Sequence, residues 1–243
     1  MDPAEEKIHA EERAQVRRFF AERTEGFFLE VGARLPFLGS QTWHLERRGW
    51  RGILVEPIPE QAEALRRERP GSQVFEAACS SPDKRGTADF HIADLPGWSS
   101  LERYAHPEPE TRRVYRQTIQ VAVRTVDEIL AECGDPHVDF VSVDTEGTEV
   151  DVLRGFDLER HRPDLVLVED YRYGLATHRH LTGRGYRLAH RTDPNSWYVP
   201  KDSPRMRPSL AYRLQLFRWM YLSLPFRKLR RWRKLRRERA ANQ

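Results

Sequence analysis

Apolar residues along this chain fall into short continuous runs, separated by stretches in which they recur every three or four positions. The runs cover residues 26–32, 52–57, 72–79, 138–143 and 164–168. Runs this short, bounded by Gly, Pro or charge, predict strands buried on both faces. The intervening stretches 5–23, 40–48, 60–69, 126–132, 148–155 and 176–182 predict helices, two of them closed by Gly49 and by Pro70-Gly71. Residues 87–92 and 119–124 alternate like half-exposed strands, and 186–190 with 196–199 read as a closing antiparallel pair. Strands separated by helices predict an α/β fold, a doubly wound and mostly parallel sheet. Between 80 and 117 the pattern loosens, as expected of an insertion or lid. The organisation expected is an N-terminal helix (1–24), an α/β domain (25–200) and a tail (201–243).

Charge changes the picture of the tail. The chain carries a net +4, yet Arg227 to Arg239 hold nine Arg or Lys and one acid, a local +8, which leaves −4 for the rest. Leu210, Leu214, Phe217, Tyr221 and Leu224, then Phe226, Leu229, Trp232 and Leu235, put apolar residues among those cations. This predicts a basic amphipathic C-terminal helix and a membrane-surface contact through residues 209–239. Nucleic acid is the weaker reading, since an acidic remainder repels phosphate. No apolar run approaches the roughly 20 residues of a membrane span. Cys79 and Cys133 alone give no disulfide framework. The acidic start, Met1 to Glu12, is unlike a secretory leader. The expected location is cytoplasmic, peripheral at the inner face of the membrane.

Candidate chemistry gathers where strands end. In an open parallel sheet, ligands bind at the carboxyl ends of the strands. Here those ends carry Glu30 and Gly32, then Glu56, then Asp144 and Glu146, then Glu169 and Asp170. Glu56 follows Gly32 by 24 residues, near the roughly 20 expected of an acid that takes ribose hydroxyls. So many acids on one edge repel one another, which suits a cationic ligand, a metal or ribose hydroxyls. Solvated helix caps are the competing explanation for some of them.

Two blocks then become recognisable. Glu30-Val-Gly-Ala33, Ser40-Gln-Thr-Trp-His-Leu-Glu46 and Gly49-Trp-Arg-Gly-Ile-Leu-Val-Glu-Pro57 form the first. Val138 to Gly155 and Pro163 to Glu169 form the second. Together, over roughly residues 25–170, they resemble the FkbM family of S-adenosylmethionine-dependent methyltransferases. The resemblance implies a Rossmann-like class I methyltransferase fold, O-methylation and S-adenosylmethionine as cofactor. By position, it implies Glu30, Gly32 and Ala33 at the methionine end of the cofactor, and Ser40 and Thr42 at its carboxylate. It implies Glu56 at the ribose, Ala77 and Ala78 beside the adenine, and Asp144 and Glu146 facing the transferred methyl. The chain departs from the family at Arg34-Leu35, where Asn-Asp is usual. Arg34 is then expected either to pair with the cofactor carboxylate or to rearrange the loop.

For the chemistry, two routes fit these residues. In the preferred one, Asp144 or Glu146 removes the acceptor proton, with His91 from the lid assisting. In the other, Asp144, Glu169 and Asp170 hold Mg²⁺, which acidifies the acceptor hydroxyl. The expected acceptor is a hydroxyl of a sugar or glycan, lipid-linked in view of the tail. A nicotinamide-dependent oxidoreductase is the alternative enzyme, although the turn lacks GxGxxG. A non-catalytic membrane-associated adaptor is the alternative outside catalysis.

Overall fold

The structure is a computed structural model that describes residues 3–21, 23–94, 97–102, 115–170, 175–192 and 194–241. Helix α1 (Pro3–Phe19) leads into β1 (Phe27–Val31), α2 (Trp43–Glu46), β2 (Arg51–Val55), α3 (Pro59–Glu68) and β3 (Ser72–Phe75). There follow β4 (Ala78–Cys79), β5 (Gly86–Ala93), β6 (Tyr115–Arg124), α4 (Val126–Glu132), β7 (Phe140–Val143), α5 (Glu149–Arg154), α6 (Leu158–His161) and β8 (Leu165–Glu169). The chain closes with α7 (Ala176–Gly183), β9 (Tyr186–Arg191), β10 (Asn195–Pro200), α8 (Leu210–Phe217) and α9 (Leu224–Ala241).

Seven strands form one sheet in the order β3-β2-β1-β7-β8-β10-β9. β1 lies parallel to β2 and β7, while β10 runs antiparallel to β8 and β9. The chain therefore winds outward from β1 in one direction and from β7 in the other, which leaves a topological switch point between them. Alternation along each strand fills two layers. Leu29, Val31, Ile53, Val55, Val141 and Val143 pack with Ile129, Leu130, Val152 and Leu153 from α4 and α5. Phe28, Leu54, Phe140 and Leu167 pack on the opposite face with Val16 and Phe19 of α1 and Phe20 just beyond it. The short continuous runs in the sequence are apolar on both sides because both sides are covered.

Three expectations change. The run 72–79 is not one strand: β3 ends at Phe75, and Ala78–Cys79 joins a separate three-stranded sheet of order β4-β6-β5. The apolar pattern continues through the break because the small sheet has its own core of Ile58, Phe90, Ile92, Val121 and Val123. The looser segment 80–117 contains β5 and the start of β6, which pair antiparallel in this second sheet; its residues 95–96 and 103–114 lie outside the described ones. The helix expected over 40–48 is only the four residues of α2, because the preceding loop is held by side chains rather than by helical turns. Thr125 and Glu128 form a reciprocal cap at the start of α4, which explains why that helix begins where its sequence signature places it.

Candidate active site

A cavity of about 310 Å³ opens at the carboxyl ends of β1, β2 and β7, a size suited to a nucleoside-sized ligand. Gly32, Glu56, Ala77, Ala78, Asp144, Glu146 and Glu169 all border it. Gly32 turns the chain at φ +83°, and a Cβ there would come within 1.8 Å of the Asp144 carbonyl oxygen. The glycine thus lets β1 and β7 end side by side. Gly32 N–H and Ala33 N–H both donate to the Val55 carbonyl, at 2.9 and 3.1 Å, which fixes the turn against β2.

Glu56 is buried at the end of β2. Its Oε2 accepts the Arg34 N–H at 2.8 Å and its Oε1 accepts the Ile58 N–H at 2.9 Å. Each oxygen keeps a lone pair for a further donor. Burial pushes its carboxyl up to about 7, against the opposing pull of those two N–H groups. Arg34 is the point of departure from the family. Its backbone takes φ +51°, and its guanidinium lies over Gly97, 2.8 Å from where a Cβ would stand. Arg34 therefore lines the cavity on the side of Gly97.

Asp144, Glu146 and Glu169 can each bring one carboxylate oxygen within 4.8 Å of the others. Glu169 is buried, its Oε2 meets no donor N–H or O–H, and burial followed by repulsion from Asp144 lifts its proton affinity well above the usual carboxylate range. Water reaches Asp144 through the cavity, yet protein crowds its other sides and burial raises it too. The physical resolution is a shared proton: Glu169 holds it and donates to Asp144, which keeps the charge. Glu149 supports this corner. It accepts from Gly147 N–H at 2.7 Å and Thr145 N–H at 3.1 Å, and burial pushes it up to about 7.

Several residues singled out in the sequence sit elsewhere. Glu30 accepts from Ser40 Oγ, Gln41 N–H and Thr42 Oγ1 at 2.8, 2.8 and 2.5 Å. The same two hydroxyls also accept from Arg69, buried beneath the loop. Glu30, Ser40 and Thr42 are thus spent on holding the loop 34–42 down and are not part of the cavity wall. Glu30 and Ala33 border only a smaller adjoining space of about 60 Å³. His91 does not face the cavity either. Its Nδ1 lies 3.0 Å from Thr118 Oγ1 on β6, because the strand's alternation gives the cavity to Phe90 instead. Asp170 is absent from the carboxylate group: Arg191 Nη1 and Ser196 Oγ both donate to its Oδ2 at 3.2 Å. The metal set Asp144, Glu169, Asp170 is corrected accordingly; the third nearby acid is Glu146.

One residue escaped the sequence reading. His9 of α1 borders the cavity, 135 residues from Asp144 in the chain. Its Nδ1 faces Glu12 Oε2 at 3.6 Å and Gln41 Nε2 at 3.4 Å, which leaves Nε2 as the outward nitrogen. Its hydrogen bond to Glu12 raises its proton affinity against the opposing effect of burial, and the charges of Glu12 and then Asp144 add to the rise. Glu12 is fully buried and also accepts from Asn195 Nδ2 and Gln41 Nε2, both at 2.8 Å, and from Thr192 Oγ1. No local pattern in α1 marks His9; only the packing of α1 over the sheet edge does.

A doubly wound sheet with one reversed strand, and a cavity at its switch point walled by a strand-two acid, defines the nucleoside-cofactor-binding α/β class. The profile of the FkbM methyltransferase domain matches residues 30–188. The chain belongs to the FkbM family of methyltransferases. No curated protein matches it. Among solved structures it is similar to a precorrin-6Y C5,15-methyltransferase from Geobacter metallireducens GS-15, at 11% identity over 77% of this chain and 85% of that one, TM-score 0.39. It is also similar to the methyltransferase domain of delta-N METTL16, at 9% identity over 79% and 81%, TM-score 0.38.

Proposed function

We propose that this protein uses S-adenosylmethionine to methylate a hydroxyl group, most simply that of a sugar or glycan. The carrying observation is the meeting of Gly32, Glu56, Ala77, Ala78 and Asp144 around one cavity. These residues fit the cofactor chemically. Glu56 has lone pairs for the ribose hydroxyls, the two alanines and Ile58 offer a flat apolar wall for a purine, and Asp144 offers charge to a cation. The cofactor supplies an electrophilic methyl on a sulfonium.

The chain's own residues do the rest. Phe90, Trp98 and Leu101 add apolar lining to the cavity, which lowers the local dielectric in which the charge of Asp144 acts. Holding an acceptor in line is worth roughly 7–11 kcal/mol in favourable cases. Proton removal is assigned to His9 Nε2: Nδ1–H faces the Glu12 carboxylate, which Gln41 also holds, so the ring is oriented through its other nitrogen, as a base requires. Asp144, already accepting from Glu169, steadies positive charge and the imidazolium that forms. The proton shared by that pair favours a metal-free reaction over a Mg²⁺ centre, so EDTA should leave turnover unchanged.

Calorimetry with S-adenosylhomocysteine and with NADH tests the reading. Binding of the first but not the second supports it, and the reverse establishes the oxidoreductase. Incubation of labelled cofactor with glycan extracts, followed by identification of the labelled product, then tests the acceptor class.

A further inference from the structure

Helix α8 exposes an apolar stripe. Leu210, Leu214 and Phe217 lie on one side of it at helical spacing and are 75%, 65% and 51% exposed. The opposite side is anchored. Leu216 and Met220 are buried, Tyr212 Oη lies 2.8 Å from His190 Nδ1, and Tyr221 Oη lies 3.0 Å from His178 Nε2. This is a packed element that keeps its greasy face outward, the mark of an interaction surface. Through the π-turn Arg218–Leu222 the stripe passes to α9, where Phe226 is 72% exposed.

Beneath the stripe, between α8 and β9, lies a second cavity of about 560 Å³. Arg187, Lys201, Arg207 and Arg213 border it together with Leu216 and Phe217, and no carboxylate does. Arg187 is spent on the carbonyls of Ser203, Arg205 and Met206. Arg207 and Arg213 face its charge, and neither has an ion pair among the described residues. Uncompensated cations around an apolar hollow, beside an exposed apolar stripe, fit one partner chemistry: a phosphate head with hydrocarbon attached. The cationic run of 227–239 extends the same complementarity.

We infer that α8 and the start of α9 dock on an anionic lipid surface, with a lipid phosphate seated between Arg207 and Arg213 and the stripe of Leu210, Leu214 and Phe217 in the acyl boundary. This surface adjoins the candidate active site. Met220 Sδ lies 3.8 Å from Arg191 Nη1, and Arg191 holds Asp170, next to Glu169 of the cavity wall.

The test is co-sedimentation of the full chain with vesicles of phosphatidylcholine alone or mixed with phosphatidylglycerol. Tight binding only to the mixed vesicles is expected. Arg207→Gln and Arg213→Gln should each weaken it about fivefold, and Leu214→Ser with Phe217→Ser should abolish it, with far-UV circular dichroism unchanged. Equal binding of the wild type to both vesicle types, or to neither, overturns the proposal. So does a concentration-dependent dimer lost in the Leu214→Ser/Phe217→Ser protein without vesicle binding, which would make a second copy the occupant. Full displacement from vesicles by millimolar inorganic phosphate would assign the hollow to a free anion and overturn the lipid. A duplex shifted in a gel by protein that ignores vesicles would put nucleic acid in its place. None of these readouts depends on methyl transfer.

Discussion

Glu56 shows how one buried carboxylate serves both fold and site. It straps Arg34 and Ile58 while unliganded, and burial raises it to about 7. The sign of its linkage follows. An acid whose folded-state value lies above its unfolded one keeps a proton in the native state that the unfolded chain releases. Native stability should therefore fall as pH rises from about 4.5 to about 7, and level off above. Glu56→Gln should flatten that decline by roughly 3 kcal/mol in urea titrations across the window, and should weaken S-adenosylhomocysteine at least tenfold by calorimetry. His9 makes the opposite kind of claim. A base must be unprotonated, and Glu12 raises its proton affinity, so kcat/KM should climb with pH through a value above 6.5. His9→Asn should lower kcat by about 10²- to 10⁴-fold and erase that limb; an unchanged pH profile would remove His9 from the reaction. Gly32→Ala should cost about 3–5 kcal/mol, since the added methyl meets a backbone carbonyl rather than a yielding side chain.

At the scale of elements, α1 matters more than its place at the chain's start suggests. Val16 and Phe19, with Phe20 just beyond its end, seat it on the sheet, and Glu12 ties it to Gln41 of the 34–42 loop and to Asn195 at the start of β10. Glu12→Ala would leave several buried donors without an acceptor, at a cost of roughly 3 kcal/mol. Hydrogen exchange should then quicken across α1 and at Thr192 and Asn195 while β1 and β7 stay protected. Uniform loss across the sheet would show instead that α1 is inseparable from the core. The loop 34–42 works the same way. Glu30 and Arg69 meet through the hydroxyls of Ser40 and Thr42, so the loop is tied down by side chains without helical structure.

At the scale of the molecule, the cavity lies where the two halves of the winding diverge, and its walls come from β1, β2, the 77–79 segment, the 144–148 loop and α1. A ligand that bridges these parts stabilises the whole. Cofactor product at one hundred times its Kd should raise Tm by roughly 5–10 °C, and a nicotinamide nucleotide should not. No described helix is long and apolar enough to cross a membrane.

The sequence by itself determined the α/β class, the family and the two most telling positions. The runs ending at Val31 and Val55 are apolar on both faces, and they place Gly32 and Glu56 without any long-range information. Strand-end acids were legible as a group because strand polarity fixes which edge they share. Only the tertiary structure decided which of them meet. Asp170 and Glu169 are neighbours in the chain, yet alternation at the end of β8 sends one to Arg191 and the other to Asp144. His91 and Phe90 are exchanged by the same period of two. Ser40 and Thr42 looked like ligand donors because nothing local revealed Arg69 beneath them. His9 was silent because a histidine's role is set by what its helix packs against, and that depends on how the sheet folds, not on any spacing along α1.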